Sequence, residues 1–206
     1  MLTQEHLEDA AMQANLLNVE FSNRNPNGWA IETQEIALTP DVATYNLASR
    51  TVCVTIAYIR TTTNGVVNDR VIGPLSKTDY ASLPQKDQAA PPVSYFFSLL
   101  HPTPTITFWP VPDVVDTYTA EVQTFRQMQD VVIAGGVTLD SPYRFLDAFT
   151  TGLAARLALM YPEHLPSPNR PQELQALYEG RFTLAAQRDQ ESVPMIIRPM
   201  MGSYYR

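Results

Sequence analysis

The stretch Pro91–Asp113, with the sequence PPVSYFFSLLHPTPTITFWPVPD, constrains the fold most, because prolines interrupt its apolar and aromatic residues at short intervals. Residues 93–100 are an apolar run rich in aromatic side chains, and residues 105–109 are β-branched and aromatic. Proline has no backbone N–H to donate to a β-ladder, so Pro110 and Pro112 end the second run. The pattern predicts two short strands that pair as a hairpin.

More strands are predicted on both sides of this hairpin. Residues 118–125 and 29–38 alternate between apolar and polar positions, and residues 52–60 form the most regular strand of the chain. The predicted apolar face of that strand carries Val52, Val54, Ile56 and Tyr58. The Asn-Gly pair at residues 64–65 is a signal for a tight hairpin turn. Together these segments predict an antiparallel sheet.

Helical periodicity flanks the predicted strands. Residues 4–18 form an amphipathic helix, residues 142–161 form a second helix after Ser141 as N-cap, and Pro171 opens a third that continues to about Gln190. The predicted buried stripes of the last two are Phe145, Leu146, Phe149, Leu153, Leu157 and Met160, and Leu174, Leu177, Tyr178, Arg181, Leu184 and Ala185. The small residues expected to admit a neighbouring helix are Gly152, Ala154, Ala155 and Ala158.

The predicted fold class is α+β. Its core is expected to be a helical bundle of one N-terminal and two long C-terminal helices, formed by residues 1–28 and 127–191. Residues 29–126 are expected to be an antiparallel β insertion domain, and residues 192–206 an extended C-terminal arm. This arrangement follows from the order of the periodic segments along the chain.

Composition excludes some classes of function. The chain has 14 Lys and Arg against 21 Asp and Glu and a formal net charge of −7, whereas nonspecific nucleic-acid binding depends on basic residues. The acidic charge does not exclude a passage for DNA, because an acidic wall would repel DNA and let it slide. The one cysteine, Cys53, excludes an intrachain disulfide and a cysteine-based zinc site. No run of 18 apolar residues and no signal-peptide pattern occurs, which predicts a protein without a membrane span that is cytosolic or assembled in a cytosol.

The sequence contains no recognisable catalytic motif. The histidines His6, His101 and His164 lack metal-ligand spacing, and no nucleotide-binding or nucleophile motif is present. The carboxylates Asp113 and Asp116 could form a glycosidase pair, although capping of a turn is the simpler role. We therefore predict that the chain is not an enzyme and has no cofactor or metal site.

The last fifteen residues, 192–206, are apolar but are interrupted by Pro194, Pro199 and Gly202. Such a segment is poorly suited to full solvation. Two interpretations remain open: the segment folds back on its own core, or it is an arm for another subunit. Its extended character suits strand addition or docking in a groove.

The order of these motifs resembles that of the head-to-tail adaptor proteins of tailed bacteriophages, the neck-ring subunits that dock under the portal. The matching segments are Trp29, Leu38–Val42, Pro74–Tyr80, Pro92–Phe96, Ile106–Asp113, Ala154–Ala158 and the tail Ser192–Arg206. The marker of the family in the β insertion comprises Phe108, Trp109, Pro110, Pro112 and Asp113. One departure is Pro91, where glycine is common.

The resemblance implies a structural virion protein that forms a ring of twelve copies between head and tail, with DNA passing through it. Its partners would be the portal, further copies of itself and a tail or nozzle protein, and it would assemble in the host cytoplasm. The helices would bind the portal and neighbouring subunits, and the β insertion would face outward or toward the tail. The implied portal or subunit contacts are Met195, Ile196, Ile197, Arg198, Pro199, Tyr204, Tyr205 and Arg206. Alternatives are a stopper or tail-terminator ring and a virion-associated cell-wall hydrolase.

Overall fold

A computed structural model describes residues 3–24, 28–63, 65–115, 117–131, 139–187 and 189 of the 206-residue chain. The helices are α1 (Gln4–Arg24), α2 (Lys77–Ser82), α3 (Leu146–Met160) and α4 (Arg170–Gln187). The strands are β1 (Ile31–Ala37), β2 (Thr44–Asn46), β3 (Thr51–Thr63), β4 (Val66–Pro74), β5 (Ser94–Ser98), β6 (Thr105–Trp109) and β7 (Thr117–Arg126). Short 3₁₀ turns occur at Gly28–Ala30, Tyr143–Phe145 and Pro162–His164.

The predicted fold, a helical bundle core with two long C-terminal helices and an antiparallel β insertion, is wrong. In the described residues the molecule has four α-helices and a curled seven-stranded sheet, with 40% of those residues helical and 31% in strands. The helices are not the core of the molecule with the sheet as an insertion, because the sheet buries an apolar cluster of its own that is comparable to the helical one. The predicted division into 1–28 with 127–191, 29–126 and 192–206 stays a prediction, and the predicted extended arm at 192–206 lies outside the described residues.

The sheet has the strand order β1-β7-β3-β4-β5-β6-β2. Neighbouring strands are antiparallel with one exception, the parallel pair β4 and β5, which meet only at Gly73–Ser94 and Pro74–Tyr95. This short parallel contact joins two antiparallel halves, and the sheet curls so that side chains of both halves share one apolar cluster. The cluster consists of Leu38, Leu47, Ala57, Ile59, Ile72, Tyr95, Ile106, Phe108, Tyr118, Ala120 and Val122.

The face assignment of β3 changes part-way along the strand. The pairing of β3 with β7 shifts register between Val54 and Ile56, which is the mark of a β-bulge. An extra residue reverses the side-chain alternation beyond it. Ala57 and Ile59 are therefore buried in the sheet cluster, while Ile56 is exposed, so the predicted apolar face through Val52, Val54, Ile56 and Tyr58 is wrong.

Helices α1, α3 and α4 bury a second apolar cluster. The close approach predicted at Gly152 is confirmed, because a Cβ atom there would lie 2.9 Å from the ring of Tyr178 and 3.1 Å from Leu17. The buried residues of α4 are Tyr178, Phe182, Ala185 and Ala186, whereas Leu177 and Leu184 of the predicted stripe are exposed. None of the helices in the described ranges is long and apolar enough to cross a membrane.

Polar groups tie the helices to the end of the sheet. After β7 the chain passes α1, where the Asn18 side chain donates to the carbonyl of Gln129 at 3.1 Å and Asn15 accepts from the backbone N–H of Val131 at 2.6 Å. Arg126, the last residue of β7, donates to Asp140 with Nη2 at 2.9 Å from Oδ1. The two clusters are thus connected mainly through the segments that enter and leave the sheet.

Candidate interaction surfaces

The proline-aromatic marker is mostly buried. Phe108 lies in β6 within the sheet cluster, with its ring centroid 5.8 Å from that of Tyr45. Trp109 is partly exposed, and its indole Nε1 donates to the carbonyl of Gln85 at 3.0 Å. Pro110 is buried directly after it. These side chains fix β6 against the loop before β5, so they hold the fold and present little surface to a partner.

The second half of the marker positions a turn. Pro112 is buried, and its carbonyl accepts the backbone N–H of Asp41 at 3.0 Å. Asp113 Oδ1 accepts the N–H of Val115 at 3.1 Å and the hydroxyl of Tyr118 at 2.9 Å. Asp113 therefore acts in capping a turn, as the simpler sequence interpretation held. The five marker residues thus lie together at one end of β6.

The turn that Asp113 fixes projects a small apolar surface. Val114 and Val115 are each 78% exposed. The neighbouring turn adds exposed Val42 and exposed Asp41, whose backbone φ of 62° lies in the left-handed region that aspartate tolerates. Among the described residues, the Asp41 carboxylate has no hydrogen bond or ion pair. We call Asp41, Val42, Val114 and Val115 the valine knob.

A cleft of about 350 Å³ lies at the other end of the sheet. Its lining includes Arg50, Val52 and the loop after β5, where Leu99 and Leu100 are 64% and 55% exposed. Pro104 closes one side, and its carbonyl accepts the backbone N–H of Leu47 at 2.9 Å. We call the surface formed by Arg50, Val52, Leu99, Leu100 and Pro104 the arginine cleft.

Arg50 differs from the other arginines in the part of the chain that the structure describes. Each of the others donates to a carboxylate or, in the case of Arg70, to the carbonyl of Pro92. The exposed guanidinium of Arg50 has no such partner there. The hydrogen bond from Arg126 contributes most to lowering the pKa of Asp140, and the charge of Arg50 contributes least. Beside the exposed leucines, the arginine cleft therefore presents a cation that makes no hydrogen bond or ion pair with the described residues.

The helices also expose apolar faces. On α1 the exposed Met12, Leu16 and Val19 follow the i, i+4, i+7 spacing of a single stripe. On α4 Leu177 and Leu184 are exposed on either side of Gly180, which has open space around it. Packing of α1, α3 and α4 on one another leaves these side chains outside.

A polar network that the sequence pattern did not predict joins three helices. Glu20 accepts the hydroxyl of Tyr178 at 2.8 Å, Arg24 at 2.7 Å and Arg156 at 2.6 Å. Arg24 also donates to both carboxylate oxygens of Glu179, and this hydrogen bond lowers the pKa of Glu179. Burial, followed by the hydrogen bond to Glu20, raises the pKa of the Tyr178 hydroxyl.

The available signal for this network was the spacing of four between Glu20 and Arg24. It was lost because the first helix was predicted to end at residue 18, whereas α1 continues to Arg24.

The predicted portal-contact residues all lie outside the described residues. They are Met195, Ile196, Ile197, Arg198, Pro199, Tyr204, Tyr205 and Arg206. Among the described ranges, no group of three or more His, Cys, Asp or Glu side chains is placed to hold a metal ion.

The family model described as SU10 adaptor protein matches residues 3–198, which is nearly the whole chain and includes both the helices and the sheet. The chain belongs to this family. Family membership implies a structural role as a phage adaptor at the head-to-tail junction of the virion, and interaction with portal and tail proteins. The predicted resemblance to head-to-tail adaptors is thereby confirmed. No curated protein sequence matches the chain significantly.

Proposed function

We propose that this adaptor is the subunit of a homo-oligomeric ring of twelve copies, which attaches below the portal, connects capsid to tail and lets DNA pass through its centre. The observation that carries the proposal is the family match across residues 3–198, which covers helices and sheet alike. The ring assembles in the host cytoplasm and acts structurally, without catalysis or a cofactor.

The exposed helical faces support contacts with other subunits. Met12, Leu16 and Val19 form a regular apolar stripe on α1, and Leu177 and Leu184 expose a second apolar face on α4. Scattered exposed leucines are normal on a monomer, but an ordered apolar stripe marks a surface that another helix or groove covers. These faces are the surfaces that we assign to the portal and to neighbouring subunits.

The charge supports DNA as transiting cargo. A formal net charge of −7 gives no excess of basic residues for stable phosphate neutralisation. A ring of such subunits would carry a large negative charge, which repels DNA from the wall of the passage. As the family resemblance implies, we assign the sheet to the outer side of the ring or to the side of the next tail component.

The C-terminal segment is the proposed arm along the portal. Residues 192–206 carry Arg198 and Arg206 and no acidic residue, together with the apolar side chains of the predicted contacts. An apolar, cationic and proline-interrupted segment is suited to a groove or a free strand edge of another protein.

Deleting residues 192–206 tests the arm. The truncated protein is expected to keep the melting temperature of the parent and to lose binding to the cognate portal, measured by the mass of the mixture in solution. A second variant replaces Met195, Ile196 and Ile197 with serine, which keeps the length of the arm and is expected to weaken portal binding as well. A truncated protein that melts like the parent and still binds the portal would show that the arm is not the contact.

A further inference from the structure

The valine knob and the arginine cleft lie at opposite ends of the sheet. Strand β2 runs from one to the other, because Thr44 pairs with Thr107 and Asn46 with Thr105. Before β2 the chain forms the turn that contains Asp41, and after β2 it reaches Arg50. The two surfaces therefore face away from each other and cannot meet within one molecule.

The two surfaces are complementary in charge. The knob has an exposed carboxylate that makes no hydrogen bond or ion pair with the described residues, and the cleft has an exposed guanidinium that likewise makes none, although its charge acts weakly on Asp140. An arginine without a hydrogen-bonded carboxylate is notable in a chain with 21 acidic and 14 basic residues, since most described arginines have one. An arginine paired with a carboxylate across an interface also fixes the orientation of the partners.

The two surfaces are complementary in shape and polarity as well. Val114 and Val115 project from a turn that Asp113 holds in place, and together they are an apolar projection. The cleft of about 350 Å³ has room for two valine side chains between Leu99, Leu100 and Val52. Both members of the pair are exposed apolar surfaces, so their contact would remove both from water.

We propose that the valine knob of one copy inserts into the arginine cleft of the next copy, with Asp41 of the first copy paired to Arg50 of the second. A contact between two different surfaces of identical subunits is heterologous, and it closes into a ring when the rotation between subunits permits. This inference rests on the proposed ring and names one contact between neighbouring subunits within it.

Charge reversal at each surface is the first part of the test. R50E and D41R each place like charges opposite one another, and each is expected to raise the protein concentration needed for assembly roughly tenfold or more. Assembly is followed by analytical ultracentrifugation, with and without the cognate portal. The matched controls K77E and D87R make the same charge changes at exposed sites elsewhere and are expected to assemble like the wild type. D41N is a second variant that removes the charge and still tolerates the left-handed backbone.

Mixing the two reversed variants is the decisive part. In an equimolar mixture the acidic cleft of R50E meets the basic knob of D41R, and the unchanged cleft of D41R meets the unchanged knob of R50E. Every contact in an alternating assembly is again between opposite charges. We therefore expect the mixture to recover the assembly that each variant lacks alone, and this recovery to weaken at high salt.

The outcomes separate the contact from the ring. If the wild type assembles and R50E and D41R assemble equally well, the proposed contact is wrong while the ring stands. If the reversed variants assemble normally but lose portal or tail binding, these surfaces belong to another partner, which also overturns the contact. If the wild type forms no assembly even with portal, the ring fails and this contact with it.

Discussion

The helical region and the sheet region bury clusters of comparable extent but close them in different ways. In the helical region Phe21 contacts four aromatic rings, those of Phe145, Phe149, Tyr178 and Phe182, at centroid distances from 5.0 to 6.3 Å. The sheet cluster is mainly aliphatic and is covered by loops that backbone hydrogen bonds hold in place.

This difference explains why each region leaves some apolar side chains exposed. Helices α1, α3 and α4 approach closely over Gly152 and the small residues Ala155 and Ala158, so larger side chains such as Leu177 remain exposed on the outer faces. In the sheet, apolar side chains are exposed where strands end and turn, as at Val114. The helices thus offer long stripes, and the sheet offers a compact knob and cleft.

The largest expected effect is the loss of stability when a buried aromatic ring is removed from one cluster or the other. Phe21→Ala and Phe108→Ala each remove a fully buried aromatic ring and are each expected to cost about 3–5 kcal/mol of stability. Trp29 packs on Phe145 in the helical region, with centroids 4.9 Å apart, and Trp109 lies in β6 of the sheet. In urea unfolding followed by fluorescence, we expect Phe21→Ala to lower the midpoint reported by Trp29 more than the midpoint reported by Trp109. We expect Phe108→Ala to do the reverse.

The measurement uses urea unfolding of two single-tryptophan proteins, W109F and W29F, as the parents of the alanine variants. They also serve as controls, since each must unfold like the wild type before its variants are compared. Equal shifts of both reporters in both variants would mean that the two clusters unfold as one cooperative unit. The predicted division of the chain into domains would then be wrong.

Part of this architecture was available from the sequence. Prolines around residues 105–109 mark both ends of β6, and the Asn-Gly pair after β3 marks the turn to β4. The sequence also predicts close helix approach at Gly152. These predictions succeeded because the constraint is local: a missing N–H, a preferred turn or a missing side chain acts on its immediate neighbourhood.

The misses arose where a contact distant in sequence decides the outcome. The bulge near Thr55 has no sequence signal, because it depends on how β3 pairs with β7. Leu177 and Tyr178 are adjacent on α4, and periodicity alone could not tell which of them faces α1. The arginine cleft joins Arg50 to a loop after β5, so no local pattern could reveal it, whereas the paired valines 114–115 in a predicted turn were a usable signal for the knob.

A smaller effect on stability distinguishes Gly152, which lies between packed helices, from Gly180, which has open space around it. Gly152→Ala would place a methyl group 2.9 Å from the Tyr178 ring, which the hydrogen bond to Glu20 holds in place. Overpacking is expected to cost about 1–3 kcal/mol and to exceed the gain in helix propensity of about 1 kcal/mol. Gly180→Ala is the matched control, because open space surrounds Gly180, and we expect it to stabilise the chain by about 0.5–1 kcal/mol.

Thermal unfolding of the two glycine variants under identical conditions decides this comparison. A Gly152→Ala protein at least as stable as the wild type would show that α1 and α4 can move apart without loss. If Gly180→Ala stabilises the monomer but impairs assembly, the outer face of α4 makes a close contact in the assembly.

The smallest effect concerns the joint between the regions, where Arg126 at the end of β7 meets Asp140 ahead of α3. The hydrogen bond from Arg126 lowers the pKa of Asp140, although partial burial opposes this. A carboxyl whose pKa is lower in the folded than in the unfolded chain stabilises the fold above its unfolded pKa of about 3.9. That stabilisation is lost as the pH falls toward the folded pKa. Asp140→Asn is therefore expected to cost about 1–2 kcal/mol at pH 7.

Urea unfolding of the wild type and Asp140→Asn between pH 7 and pH 3 measures this contribution. The difference in unfolding free energy should be constant from pH 7 to about pH 5 and should shrink below about pH 4. Glu179, whose pKa is lowered by its hydrogen bond from Arg24, is present in both proteins, so it does not contribute to the difference. A difference that stays constant down to pH 3 would mean that the charge of Asp140 does not stabilise the joint. The two regions would then be held together by the covalent connection and by the asparagine contacts of α1.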